Sequence, residues 1–183
     1  MSTYIHIPRT GGSSIREQLP PHVDVWGHNL RRADYQFCLD FDEYIFTFLR
    51  DPFSRFISAY NYLNKGGKNQ KDSQDAYITG VKALNIREFA EKKLEDAAFW
   101  QIHFLPQHRW LQHVRPSFTG RFENLEEDFH RVCMELGVEP RALPHINTSA
   151  KMGYDLSQEI KPIIREVYAK DYELIESLGY ETI

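Results

Sequence analysis

The tightest constraint on the fold is the stretch Ile5 to Glu17, IHIPRTGGSSIRE, at the start of the 183-residue chain. Tyr4, Ile5 and Ile7 read as a short buried strand, and Pro8, which has no N–H to give to a ladder, ends it. Gly11 and Gly12 are free to take positive φ and to let the backbone approach a ligand. Ser14 followed by Glu17 fits a capping box, so a helix is predicted to open there. Strand, glycine turn and helix N-terminus together make an anion cradle. Amide N–H groups and the positive end of the helix dipole face one point, and Arg9, Thr10, Ser13 and Ser14 add donors. An ordinary strand-to-helix turn uses the same residue types, so the stretch alone leaves both open. The usual nucleotide loops are absent: there is no GxxxxGK[ST] and no GxGxxG.

After the first helix, Pro20 and Pro21 act as a stop, and His22 to Trp26 alternates as a second short strand. Gly27 and His28 follow it. In an open parallel sheet ligands sit beyond the carboxyl ends of the strands, which would place His28 for chemistry; a surface-loop histidine fits the same position. Tyr44 to Leu49, YIFTFL, is nearly all aromatic or β-branched, as expected of a central strand covered on both faces. Arg50, Asp51 and Pro52 come next, with proline suited to a first helical turn. Phe53, Phe56, Ile57, Tyr60 and Leu63 then recur at helical spacing, with Ser54 and Ser58 one turn apart beside that face.

Residues 64–75, NKGGKNQKDSQD, lack hydrophobic periodicity and predict a mobile loop or lid. Helices are expected over 75–82 and 86–95, with Leu84, Ile86, Phe89 and Leu94 inward. His103, His108 and His113 recur every fifth residue, which turns successive side chains through about 140° on a helix, so zinc is not expected and the three read as surface or acceptor-groove residues. Ser117 to Phe122 alternates as a strand. Glu123 to Leu136 is an amphipathic helix with Leu125, Phe129, Val132, Cys133 and Leu136 inward, closed by Gly137; its acids read as capping and solvated. A C-terminal helix is expected to carry Ile160, Ile163, Ile164, Val167, Leu174, Ile175 and Leu178 on one stripe.

With 42% hydrophobic residues the chain can bury one substantial core, and residues 1–183 are expected to form a single domain. A net charge of −4 argues against general nucleic-acid binding while allowing a local basic pocket for one small anion. Cys38 and Cys133 form no disulfide framework and read as reduced. The chain runs straight into a strand without a charged leader and holds no apolar run long enough for a bilayer, so a soluble cytoplasmic protein with no membrane partner is expected.

Two of these stretches resemble the donor-binding motifs of sulfotransferases that use 3′-phosphoadenosine 5′-phosphosulfate. Pro8, Arg9, Thr10, Gly11, Gly12, Ser13 and Ser14 are similar to their 5′-phosphosulfate loop, PKTGG[ST][ST], with arginine in place of lysine. Arg50, Asp51, Pro52, Arg55, Ser58 and Tyr60 match their 3′-phosphate motif, RDPxxRxxSxY. Weaker likenesses follow in WQIHFLPQHRWLQH, RFENLEEDF and LPHINTSAK, so the resemblance runs from Ile5 to about Tyr180. It implies an α/β fold, a central parallel sheet flanked by helices of the P-loop-like nucleotide-binding type. The implied activity is sulfuryl transfer to a hydroxyl, on a carbohydrate if the heparan-type branch is the right one, with adenosine 3′,5′-bisphosphate as product and no metal.

The resemblance carries the 3′-phosphate to Arg50 and Ser58, further donor contacts to Ser149 and Lys151, and acceptor contacts to His103 and Gln107. Arg55 is either a ligand or structural. Gly27 with His28 matches the Gly-His pair of the heparan-type branch, whose histidine is the general base; imidazole is well tuned for that work. In the tyrosine-protein branch a glutamate serves, and Glu17 or Asp24 would stand in here. Arg9 would act as a fixed positive charge, because arginine hardly gives up a proton. The rival functions are a non-catalytic binder of the bisphosphate or of a sulfated ligand, and a P-loop kinase, which the missing lysine and magnesium carboxylate weigh against.

Overall fold

The structure, a computed structural model, describes residues 2–27, 44–144 and 154–182. The chain divides into two compact units, Met1–Arg50 with Gln107–Thr148 and Asp51–Pro106 with Ser149–Ile183.

The first unit holds a four-stranded parallel sheet in the order β2-β1-β3-β4. Its strands are β1 (Ser2–His6), β2 (Val23–Gly27), β3 (Tyr44–Leu49) and β4 (Phe118–Arg121). This is the α/β architecture expected from the sequence. β3 lies inside the sheet and is buried along almost its whole length, as its unbroken apolar run requires. Edge strand β2 leaves Asp24 and Val25 exposed. Because the strands are parallel, the carboxyl ends at His6, Gly27, Leu49 and Arg121 share one edge, the edge where such sheets bind ligands.

Tyr4 stacks on Phe46 with ring centroids 5.1 Å apart, and both pack with Ile15 of helix α1 (Gly12–Gln18) and with Phe129, Val132 and Cys133 of helix α7 (Leu125–Leu136). Gly137, at φ 67°, closes α7 in the left-handed conformation predicted for it. Among the acids of α7, Glu126, Glu127 and Glu135 are solvated. Asp128 is buried and accepts hydrogen bonds from the Arg121 N–H (2.7 Å) and from Asn124 Nδ2 (3.3 Å), tying α7 to the end of β4. Cys133 is a free, buried thiol, and burial pushes its pKa up.

The second unit is helical: α2 (Pro52–Asn64), α3 (Gln70–Ile78), α4 (Ile86–Lys92), α5 (Leu94–Trp100), α8 (Tyr154–Val167) and α9 (Ala169–Ser177). The short α6 (Gln107–Trp110) belongs to the first unit. Phe53, Phe56, Ile57, Tyr60 and Leu63 are all buried, as the spacing on α2 predicts, and Phe56, Phe89 and Phe104 form the aromatic centre of this core. Among the described residues, each unit thus has buried hydrophobic residues gathered around a centre of its own.

Two expectations are corrected. Residues 64–75 are not a loop throughout. Asn69 caps α3 by accepting from the Asp72 N–H, and buried Asp72 accepts from Tyr62 Oη (2.5 Å) and the Lys68 N–H (3.0 Å). The polar residues that suggested mobility are caps and internal acceptors, roles that the same residue types fill. The C-terminal helix is interrupted at Tyr168, whose hydroxyl donates to the Phe104 carbonyl at 2.6 Å, and Leu178 lies past the end of α9, exposed.

Candidate active site

The loop after β1 turns by a route other than the one the two glycines suggest. Arg9 (φ 72°) and Gly11 (φ 87°) are the left-handed residues, and Gly11 is the N-cap of α1. Gly12 is instead the first helical residue, and it is glycine for lack of space: a Cβ there would lie 1.9 Å from His6 Cδ2 and 2.0 Å from His6 Nε2. Ser14 is therefore not a cap. Its hydroxyl donates to the Pro144 carbonyl at 2.7 Å, and no side chain caps the helix. Thr10 is fully buried and its hydroxyl donates to the Ile7 carbonyl at 2.9 Å.

Two of the expected hydroxyl donors are thus committed to the protein itself. The groups that can face an anion are the N–H groups of Gly12 and Ser13, which precede the first intrahelical bond from Ser14 N–H to the Gly11 carbonyl, together with exposed Ser13 and half-buried Arg9.

Arg50 stands directly beyond β3. Its N–H donates to Gln107 Oε1 (2.9 Å), and its carbonyl accepts from Gln107 Nε2 (2.8 Å). Its guanidinium donates through Nη1 to the Arg9 carbonyl (3.3 Å) and lies 3.9 Å over the Phe122 ring, in the 3-10 turn Phe122–Asn124. Leu125 and Phe122 in turn crowd the position where Gly11 would carry a Cβ. The two sequence motifs are therefore joined through their first arginines, and His6 and Phe122 are the packing residues that sequence reasoning missed. His6 had a signal in its place at the strand end ahead of Gly12; Phe122 had none.

In the second unit, Asp51 caps α2 by accepting from the Ser54 N–H (2.7 Å), and Ser58 is buried on that helix. Arg55 is buried near Asp171 and Tyr168; burial pulls its pKa down and the two neighbours oppose that. His103, expected at the surface or in an acceptor groove, is buried: its Nδ1 lies 3.2 Å from Gln101 Nε2 and its ring packs on Tyr62. Gln107, the other expected acceptor contact, is fully buried with its amide on the Arg50 backbone. His28, Ser149, Lys151 and Cys38 lie outside the described residues. Among the described residues no group of three or more His, Cys, Asp or Glu could hold a metal ion, and no helix is long and apolar enough to cross a membrane.

A parallel sheet whose first strand turns through a glycine loop into a helix defines an α/β protein of the P-loop-like class. The profile of the sulfotransferase family matches residues 25–176, most of the chain, and the protein belongs to that family. The match begins after the loop at 8–14, so that loop's role rests on its own motif and geometry. An uncharacterized protein of Archaeoglobus fulgidus is 30% identical over 116 residues, which cover 62% of this chain and 85% of the relative. No solved structure matches significantly.

Proposed function

We propose that this sulfotransferase takes its sulfuryl group from 3′-phosphoadenosine 5′-phosphosulfate and passes it to an acceptor hydroxyl, on a carbohydrate. The observation that carries the proposal is the fixing of Arg50 beyond β3 by Gln107, Phe122 and the Arg9 carbonyl. A guanidinium offers phosphate a planar fork, and one held in advance loses less freedom on binding. The donor set fits a phosphorylated nucleotide: a cation on the fork side, and two helix-start N–H groups with Arg9 on the loop side.

Arg50 and Ser58 hold the 3′-phosphate in this proposal, with Ser149 and Lys151 as further donor contacts. The N–H groups of Gly12 and Ser13 hold the 5′ side, and Arg9 supplies a fixed charge against the negative charge that develops on the leaving group. When bound, the donor supplies an activated sulfuryl group with adenosine 3′,5′-bisphosphate as its leaving group. His28 accepts the proton of the acceptor hydroxyl.

The test has a binding arm and a chemical arm. Adenosine 3′,5′-bisphosphate should raise the melting temperature without added magnesium, and ATP, which lacks a 3′-phosphate, should do so far less. Mass spectrometry of oligosaccharides incubated with the donor should show sulfated product. His28→Ala should bind the bisphosphate as the wild type does and lose about 10² to 10⁴-fold in turnover. Equal stabilisation by ATP, or a strict need for magnesium, would favour a kinase; binding without product from any acceptor would favour a binder.

A further inference from the structure

We infer that Gln107 is a positioning residue for recognition of the donor's 3′-phosphate, acting through Arg50; the inference rests on the assignment of that phosphate to Arg50. Arg50 lies one residue past the last paired position of β3, where Leu49 pairs with Arg121 and Thr47 with Ile5. Beyond the ladder its N–H and carbonyl need another partner, because a buried main-chain group left unpaired is costly. Gln107 provides it. A primary amide carries one acceptor and one donor side by side, as a neighbouring strand's peptide would, and here both ends are used, at 2.9 and 2.8 Å.

The consequence is geometric. With its main chain held from both sides, Arg50 has a fixed Cα–Cβ direction, and its guanidinium comes to rest against Phe122 and on the Arg9 carbonyl. Gln107 is itself held in place, with no exposed surface, at the start of α6, whose last residue Trp110 is also buried. No other side chain offers the same pair at the same reach. Glutamate has two acceptors and no donor, asparagine is a methylene shorter, and alanine offers neither.

A role confined to stability would weaken every nucleotide alike, so the decisive quantity is specific to the 3′-phosphate. It is the ratio of affinities, by calorimetry, for adenosine 3′,5′-bisphosphate over adenosine 5′-monophosphate. It would be measured for the wild type, Arg50→Ala, Gln107→Ala and the double variant. Arg50→Ala should collapse the ratio. Gln107→Ala should lower it about tenfold while leaving monophosphate affinity within about twofold, and should have no further effect once Arg50 is alanine, as expected of residues acting in series. A ratio untouched by Gln107→Ala while Arg50→Ala collapses it overturns this inference alone. A ratio untouched by Arg50→Ala overturns the assignment of Arg50 and the inference with it. Should Gln107→Ala fail to fold, Gln107→Asn, which keeps the amide at the wrong reach, is scored by the same criteria.

Discussion

Arg9 sits at φ 72° although it is not glycine, while its carbonyl accepts from Arg50 Nη1. An L-residue in the left-handed region gives up roughly 1–2 kcal/mol, and such strain persists where the surroundings over-determine it. Conformation and charge can be separated at this residue. Arg9→Gly should relieve the strain and raise stability to thermal unfolding by up to about 1 kcal/mol, after the extra chain entropy of glycine is counted, while turnover falls. Arg9→Ala keeps the strain and removes the charge, so it should lose turnover without the gain, by a few kcal/mol of barrier, on the order of one oxyanion donor. Arg9→Lys should hold or raise turnover. If Arg9→Ala turns over as the wild type does, the loop's charge has no part in the reaction; if Arg9→Gly melts no higher, the left-handed turn is not strained.

The junction from β1 through the loop to α1 is built on exclusion as much as on turn geometry, because the His6 ring fills the space beside Gly12 where a Cβ would go. Gly12→Ala should cost about 1–3 kcal/mol in chemical denaturation, the usual range for overpacking, and clearly less when His6 is also alanine. An equal cost in both backgrounds would show that something other than His6 excludes the side chain. This junction also marks the limit of what sequence periodicity carries. β2, β4, α2 and α7 were legible because their apolar residues repeat at strand or helix spacing, and β1 and β3 because theirs form short buried runs. The start of α1 was misplaced because Ser14 and Glu17 satisfy a capping pattern whose hydroxyl is in fact spent on Pro144, a residue far along the chain. The start of α3 was missed because Asn69 and Asp72 act as cap and acceptor with residue types that also make loops. Arg50 was singled out by its motif, whereas its contacts with Gln107 and Phe122 depend on which side chains folding brings to it, and nothing local in the sequence encodes that.

At the scale of the molecule, tyrosines stand in both buried centres or against them: Tyr4 and Tyr44 in the first unit, Tyr168 and Tyr172 in the second. Burial keeps all four phenols neutral. It is the leading cause that pushes Tyr44 up to about 12, with Glu135 adding to it, and Tyr4, Tyr168 and Tyr172 are raised as well. Near Tyr4 the charge of Arg16, and near Tyr168 that of Arg55, act in the opposite direction without reversing it. The sign of the linkage follows from the raised values. An unfolded phenol gives up its proton near pH 10, so the unfolded chain binds fewer protons than the native one above that point and stability falls. The contribution of these tyrosines is complete below about pH 10 and is lost as pH rises through their raised folded values, that of Tyr44 lying at about 12. Denaturation midpoints measured across that range should therefore decline, and tyrosinate absorbance of the native protein should lag behind that of the chain in denaturant, with the late fraction appearing only as the fold opens. Native tyrosines that all ionise together near pH 10, with no change in the midpoint, would mean that neither centre shields its phenols from water.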